Sequence, residues 1–183
     1  MKKRSLALLL ALVLAIGVAA GGTIAWLVAK TDSVVNTFTY GDINIDLAET
    51  TGSSYKIIPG VDIKKDPKVT VKADSEACWL FVKVAEENWP AFTEADGTPK
   101  VTYAIADGWT ALTGVNGVYY REVGAVTADT SFGVLKDDKI TVSDELTKTD
   151  VKAIETNPTL TFTAYAVQKD GIADAAAAWA KVG

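Results

Sequence analysis

The strongest hydrophobic segment of the chain is its N-terminus, where residues 6–29 are mostly apolar. Lys2, Lys3 and Arg4 come directly before this run. A basic start followed by an apolar run is typical of an export signal, and basic residues beside such a run stay on the cytoplasmic side of the membrane. The pattern therefore predicts that residues 31–183 lie outside the cell.

Small side chains near the end of this run predict where the signal is removed. Thr23 and Ala25 occupy the two positions at which a signal peptidase requires small residues, so we expect cleavage after Ala25. Trp26 is then the first residue of the mature chain, while residues 27–29 form a second candidate site. Because the run is longer than the roughly 20 residues of a membrane-spanning helix, an uncleaved anchor is the alternative.

Beyond the apolar run, hydrophobic and polar residues alternate. Ile43, Ile45 and Leu47 are separated by Asn44 and Asp46, which is typical of a strand with one buried face. Similar patterns or short apolar runs predict further strands at 55–58, 69–72, 77–85, 101–105, 109–112, 118–123, 132–135, 139–142 and 159–168.

The segment 77–85 is predicted to be a central strand because both of its faces are apolar. Cys78, Leu80 and Val82 share one face, whereas Trp79 and Phe81 share the other. A sheet with two apolar faces must be covered on both sides. We therefore expect a loop, a helix or another subunit to cover Trp79 and Phe81.

Turn signals and one helical pattern complete the predicted fold. Asp-Gly or Asn-Gly pairs end at Gly97, Gly108 and Gly117 and indicate hairpin turns. Residues 172–182 are predicted to form a helix that packs Trp179 on the sheet, and 144–154 a loop or a short helical turn.

These patterns predict an all-β protein, a two-sheet antiparallel sandwich with one short C-terminal helix, preceded by the apolar N-terminal helix. The Cys…Trp…Cys spacing of immunoglobulin domains is absent, which favours a jelly roll over an immunoglobulin-like sandwich. We expect residues 1–25 to be the signal peptide, 26–36 a linking segment and 37–183 one sandwich domain.

Composition restricts the chemistry of the mature protein. The chain has no histidine and one cysteine, which removes the usual general base, the common nucleophile–histidine pairs and the most frequent zinc ligand. We expect no catalytic residue, no metal site and no cofactor. Without Lys2, Lys3 and Arg4, the mature chain has 15 basic and 23 acidic residues, so its net charge is −8. This charge disfavours nucleic acid as a partner.

The remaining candidate side chains have structural interpretations. Cys78 cannot form an internal disulfide, and its apolar neighbours indicate a buried residue; an intermolecular disulfide is the alternative. Six aspartates beside turn signals are expected to be solvated, namely Asp62, Asp66, Asp96, Asp107, Asp137 and Asp138.

The N-terminal motifs resemble those of a known family. Gly21-Gly22-Thr23-Ile24-Ala25 is followed, at the expected distance, by Asn36-Thr37-Phe38, Gly41 and Leu47. This combination is similar to the TasA and camelysin family of exported proteins of Gram-positive bacteria, and residues 164–179 also resemble related clostridial-type proteins. Lys30-Thr31-Asp32 departs from the family pattern, in which an aromatic residue and an aspartate commonly follow the cut.

The resemblance implies a jelly-roll subunit of biofilm matrix fibres, in which the N-terminal segment of one copy complements a sheet of the next copy. It also implies cleavage by a signal peptidase of the SipW type and an accessory fibre protein. Some relatives are described as metalloendopeptidases, but the absence of histidine argues against an enzyme here.

Cleavage after Ala25 would leave an exposed apolar N-terminus that needs a docking place. We expect a donor strand within residues 26–35, with its apolar side chains at Trp26, Leu27, Val28, Val34 and Val35. Trp79 and Phe81 mark the expected acceptor groove, because they form the apolar surface without an evident partner in one sandwich.

Two other functions stay open at the level of the sequence. One is a membrane-anchored monomeric module that binds carbohydrate or protein through the loops 96–98 and 114–117 and through Trp109, Tyr119 and Tyr120. The other is a secreted protease, which would require chelator-sensitive hydrolysis by the pure protein.

Overall fold

Ten β-strands and two short α-helices make up the described part of the chain, which in this computed structural model comprises residues 41–93, 96–154 and 156–182. All of these residues belong to one unit, residues 40–183. The strands are β1 (Ile45–Ala48), β2 (Ile63–Lys64), β3 (Lys68–Val71), β4 (Cys78–Glu87), β5 (Val101–Thr102), β6 (Thr110–Ala111), β7 (Val118–Val123), β8 (Thr130–Gly133), β9 (Lys139–Val142) and β10 (Thr159–Gln168); the helices are α1 (Lys148–Ala153) and α2 (Ala175–Trp179).

The strands form three antiparallel sheets. The first has the order β1-β3-β8, the second β10-β4-β7-β6, and the third β2-β9-β5. β4 lies inside the second sheet, paired with β10 along ten residues and with β7 along six. The predicted central strand and the all-β class are therefore confirmed.

The first hydrophobic cluster contains residues of the first and second sheets. Val69 and Val71 of β3 pack in it with Cys78, Leu80 and Val82 of β4. All five side chains are fully buried, as the alternation along both strands predicts. This cluster covers one face of β4.

The opposite face of β4 is covered by the C-terminal helix. Ala175 and Ala178 of α2 are buried against Trp79 and Phe81, and Trp179 contacts the same cluster. α2 begins after Asp174, whose side chain accepts a hydrogen bond from the backbone N–H of Ala177 at 2.8 Å, a common N-cap arrangement. The predicted packing of Trp179 on the sheet is confirmed.

A third cluster lies beside the small third sheet. Phe92, from a 3₁₀ helix at Trp89–Phe92, packs there with Val101, Ile140 and Leu146. Leu160 and Phe162 of β10 also contact this cluster. β10 thus contributes side chains to all three clusters, since Tyr165 and Val167 pack in the second.

Two expectations about local structure are wrong. Residues 55–58 form no strand; β2 forms five residues later instead. Asp66 is not solvated but 4% exposed, because it accepts hydrogen bonds from the loop that follows β1. The N-terminal apolar helix lies outside the described residues, and the jelly-roll arrangement of the sheets stays a prediction.

Candidate functional site

The predicted cleavage and donor residues lie outside the described part of the chain. They are Thr23, Ala25, Trp26, Leu27, Val28, Val34 and Val35. The described chain begins at residue 41, shortly before β1. The surfaces described below that could receive such a segment belong to residues 41–93, 96–154 and 156–182.

Trp79 and Phe81, the predicted acceptor residues, face the chain's own helix. Trp79 is 9% exposed and Phe81 is fully buried. The ring of Phe81 lies 5.2 Å from that of Trp179, and the ring of Trp79 lies 6.0 Å from that of Tyr120. Their side chains are thus covered within the described chain, while the backbone of the neighbouring strand β10 remains at the sheet edge.

The most extensive candidate docking element is the free edge of β10. Its ten residues pair with β4 on one side, and no strand of the described chain pairs on the other. In an antiparallel pair, backbone N–H and C=O groups of alternate residues point away from the partner. An edge strand of this length can hydrogen-bond an added strand.

A second free edge, that of β1, lies next to it. Among the residues that the structure describes, β1 pairs only with β3, and it contacts β10 although the two strands belong to different sheets. Ile45 and Leu47 of β1, like Phe162 and Ala164 of β10, are half-buried and pack against the first cluster. An added strand at this side could therefore cover apolar side chains from both sheets.

Buried charged residues hold the loop beyond β1 in place. Lys65 is 6% exposed and donates a hydrogen bond from Nζ to Glu49 Oε1 at 2.6 Å. Asp66 accepts hydrogen bonds from the hydroxyl of Thr50 at 2.5 Å and from the backbone N–H groups of Thr50 and Thr51 at 3.0 and 3.1 Å. These donors hold the pKa of Asp66 well below its ordinary value, because they stabilise the carboxylate.

A cavity of about 380 Å³ opens beside the start of β10. Lys65 lies in its wall, with Nζ 4.9 Å from the ring centre of Tyr55 and 5.4 Å from that of Phe162. The rest of the lining combines apolar and uncharged polar residues: Ser53, Ser54, Ile57, Ile63, Trp89, Phe92, Val101, Ile140, Asn157, Pro158, Thr159 and Leu160.

An open groove of about 320 Å³ adjoins this cavity, because Trp89 and Val101 line both. Tyr103 and Tyr119 add two aromatic rings, and the Tyr103 hydroxyl donates a hydrogen bond to Glu86 Oε1 at 2.5 Å. Burial, with the Glu86 carboxylate beside it, raises the pKa of Tyr103. The remaining lining residues are Pro99, Thr102 and Ile105.

The residues suggested for a binding module do not form one common surface. Trp109 belongs to the first cluster and donates a hydrogen bond from Nε1 to the carbonyl of Gly133 at 2.8 Å. Tyr120 packs against Trp79 and Phe81, whereas Tyr119 lines the open groove. The loops 96–98 and 114–117 are largely exposed.

Sequence reasoning missed Lys65, Trp89, Tyr103 and Glu86. They come from different elements, and no local spacing signals that they meet.

Within residues 41–93, 96–154 and 156–182, no three His, Cys, Asp or Glu side chains are grouped so that they could hold a metal ion. In the same residues, no helix is long and apolar enough to cross a membrane. Cys78 is a buried free thiol, and burial raises its pKa to about 11.

Comparisons of the chain with protein-family models, with curated proteins and with solved structures find no match.

Proposed function

We propose that this chain is an exported structural subunit of extracellular matrix fibres of the biofilm type, not an enzyme. After signal cleavage, residues 26–35 of one copy add as a strand to a sheet of the next copy. The observation that carries this proposal is the free edge of β10 beside the free edge of β1. The resemblance of the N-terminal motifs to the TasA and camelysin family points in the same direction.

The chemistry of the N-terminal segment supports such docking. Trp26, Leu27 and Val28 are consecutive apolar residues, and burial stabilises apolar surface by about 25 cal/mol per Å². An edge strand adds main-chain hydrogen bonds to this contribution. Because the donor and the acceptor are different surfaces, the contact is heterologous and can continue as a filament.

The proposed acceptor for residues 26–35 is a strand edge that the helix α2 does not cover. Trp79 and Phe81 are covered by α2 and its neighbours, so the added strand would lie beside β10, one strand away from them. In this proposal the first and second sheets are the two layers of a jelly-roll sandwich.

The proposed partners follow from this assembly. They are further copies of the chain, a signal peptidase of the SipW type that releases Trp26, and an accessory fibre protein. The proposed location is the cell surface and matrix, with a membrane-inserted precursor.

Cysteine cross-linking tests the proposed contact between two copies. Val34→Cys in the donor is combined with Thr163→Cys on β10, and oxidation should give disulfide-linked multimers of the mature protein. The buried thiol of Cys78, with its pKa raised to about 11, should contribute little background. Thr110→Cys on β6, at the opposite edge of the same sheet, is the matched control, and Asp46→Cys tests the edge of β1.

The outcomes separate the possible contacts. Disulfide-linked multimers with Thr163→Cys or Asp46→Cys, but not with Thr110→Cys, would support the proposal. Equal yields of multimers at all three positions would contradict it. Normal fibres in electron micrographs after deletion of residues 26–30 would contradict it as well. Mass spectrometry of the exported chain should find Trp26 at the N-terminus; a chain beginning at Met1 would instead favour the anchored binding module.

A further inference from the structure

The two adjoining concavities around Trp89 form a second surface with the composition of a ligand site. Together they are lined by Tyr55, Trp89, Tyr103 and Tyr119. Their volumes of about 380 and 320 Å³ lie near the lower end of the range for small-molecule sites, roughly 300 to 1,000 Å³. Residues with hydroxyl or amide side chains line the same concavities, namely Ser53, Ser54, Thr102, Asn157 and Thr159.

Trp89 is the central residue of this surface. It lines both concavities, and its ring is held edge-on against Phe92 and Tyr103 at 5.2 and 5.8 Å. These contacts fix the indole while leaving it half-buried. A fixed, partly exposed indole offers an apolar surface without the entropic cost of ordering a mobile side chain.

The charged groups of the surface are already engaged. Lys65 is hydrogen-bonded to Glu49, and the carboxylate of Glu86 accepts the hydroxyl of Tyr103. A charged ligand would have to compete with these contacts, and an anionic one would also meet the acidic surface of the chain. The chemistry therefore favours an uncharged ligand with both apolar and hydroxyl-bearing faces.

From these observations we propose that the surface binds a neutral polysaccharide, with a sugar ring stacked on Trp89. Pyranose rings carry C–H groups on their faces and hydroxyls at their edges, which match a lining that contains aromatic rings together with Ser, Thr and Asn. Two adjoining concavities suit consecutive units of a chain rather than one isolated sugar. This binding goes beyond assembly, because it would give each subunit its own attachment to a matrix glycan.

Hydroxyl-radical footprinting of the mature protein tests the proposal whether or not fibres are present. Cellohexaose and chitohexaose serve as neutral probes, and hexagalacturonate is the anionic comparison. A neutral probe should slow the oxidation of Trp89 while leaving Ile58 unchanged, since Ile58 is 53% exposed and lines neither concavity. A peptide of residues 26–36 is tested in parallel.

Substitutions give the matching affinities, measured by calorimetry with the same probes. Trp89→Ala should weaken binding roughly tenfold or more, because the stacking surface is lost. Trp89→Phe should retain part of the affinity, and Ile58→Ala should bind like the unsubstituted protein.

Several results would overturn the proposal. These are absence of protection at Trp89 by both neutral probes, equal protection by hexagalacturonate, protection by the peptide alone, or unchanged affinity in folded Trp89→Ala. Footprinting of the unsubstituted chain decides the matter if Trp89→Ala fails to fold. Fibre formation without glycan protection would overturn this inference alone and leave the proposed assembly in place.

Discussion

The indole ring of Trp179 lies against the phenyl ring of Phe81, with 5.2 Å between the ring centres. Phe81 is in the middle of β4, and Trp179 is the last residue of α2. Tyr165 of β10 lies 5.3 Å from Trp179. The C-terminal helix therefore fills, within the chain itself, the apolar face that the sequence left without an evident partner.

Trp179→Ala should lower the free energy of unfolding by roughly 2–4 kcal/mol, because it removes a half-buried aromatic ring and leaves a gap over Phe81. Urea unfolding measures this change. Lys181→Ala, at an exposed position just beyond α2, is the control and should change stability little. A loss below about 1 kcal/mol in Trp179→Ala would contradict the covering role of the helix.

Gly117→Ala should destabilise the protein by about 3 kcal/mol or more, since the new Cβ would clash with the backbone carbonyl oxygen of Val84. Gly117 also has a φ of 68°, which strains an L side chain. Gly114→Ala separates the two effects, because Gly114 has a φ of 79° and no heavy atom within 4 Å of its added Cβ. Gly114→Ala should lower the free energy of unfolding by only about 1–2 kcal/mol. Equal losses of stability for the two variants in thermal unfolding would rule out the steric explanation.

Asp66 should make stability depend on acid pH. Hydrogen bonds from Thr50 and Thr51 lower its folded pKa, so its stabilisation is complete above the unfolded value of about 3.9 and is lost as the pH falls toward the folded pKa. Asp66→Asn should lower the unfolding temperature at neutral pH, because an amide cannot accept all three hydrogen bonds.

The same variant should also show a flatter dependence on pH below about pH 5. Asp46→Asn, at an exposed position of β1, should keep the full acid dependence. Parallel pH profiles of Asp66→Asn and the unsubstituted protein would show that Asp66 does not contribute in this way.

In the proposed assembly, Thr161→Lys should prevent fibre growth without unfolding the subunit. Thr161 is exposed on β10 opposite Ala85, and a lysine on an edge strand disfavours the addition of another strand. Thr110→Lys on the β6 edge is the matched control and should leave fibres intact. Electron microscopy shows whether fibres form, and the unfolding midpoint shows whether the subunit is still folded. Normal fibres in Thr161→Lys would argue against the β10 edge as acceptor.

Strong alternation made some elements predictable from the sequence. The pattern of Leu160, Phe162, Ala164 and Ala166 predicted β10 with its observed bounds, and Asn116-Gly117 predicted the turn before β7. In both cases neighbouring residues along the chain determine the structure, through strand pleating or through a backbone angle that glycine adopts easily.

Features that depend on distant residues were not predictable. Asp66 was expected to be a solvated turn residue, but Thr50 and Thr51 donate hydrogen bonds to it. The contact of Lys65 with Glu49 was likewise not indicated by the sequence. The binding role proposed for Trp89 depends on Tyr103 and Tyr119, which line the same groove. No sequence spacing shows such partners, because they meet only after the sheets have formed.

The participation of β10 in all three hydrophobic clusters has a consequence for the order of folding. Leu160, Phe162 and Tyr165 lie close to the C-terminus, yet each completes packing that begins in strands made much earlier. A polypeptide that ends before residue 159 lacks the β10 side chains that pack in all three clusters. The second cluster also needs Ala175, Ala178 and Trp179 of α2, so the three clusters can all close only when both β10 and α2 are present.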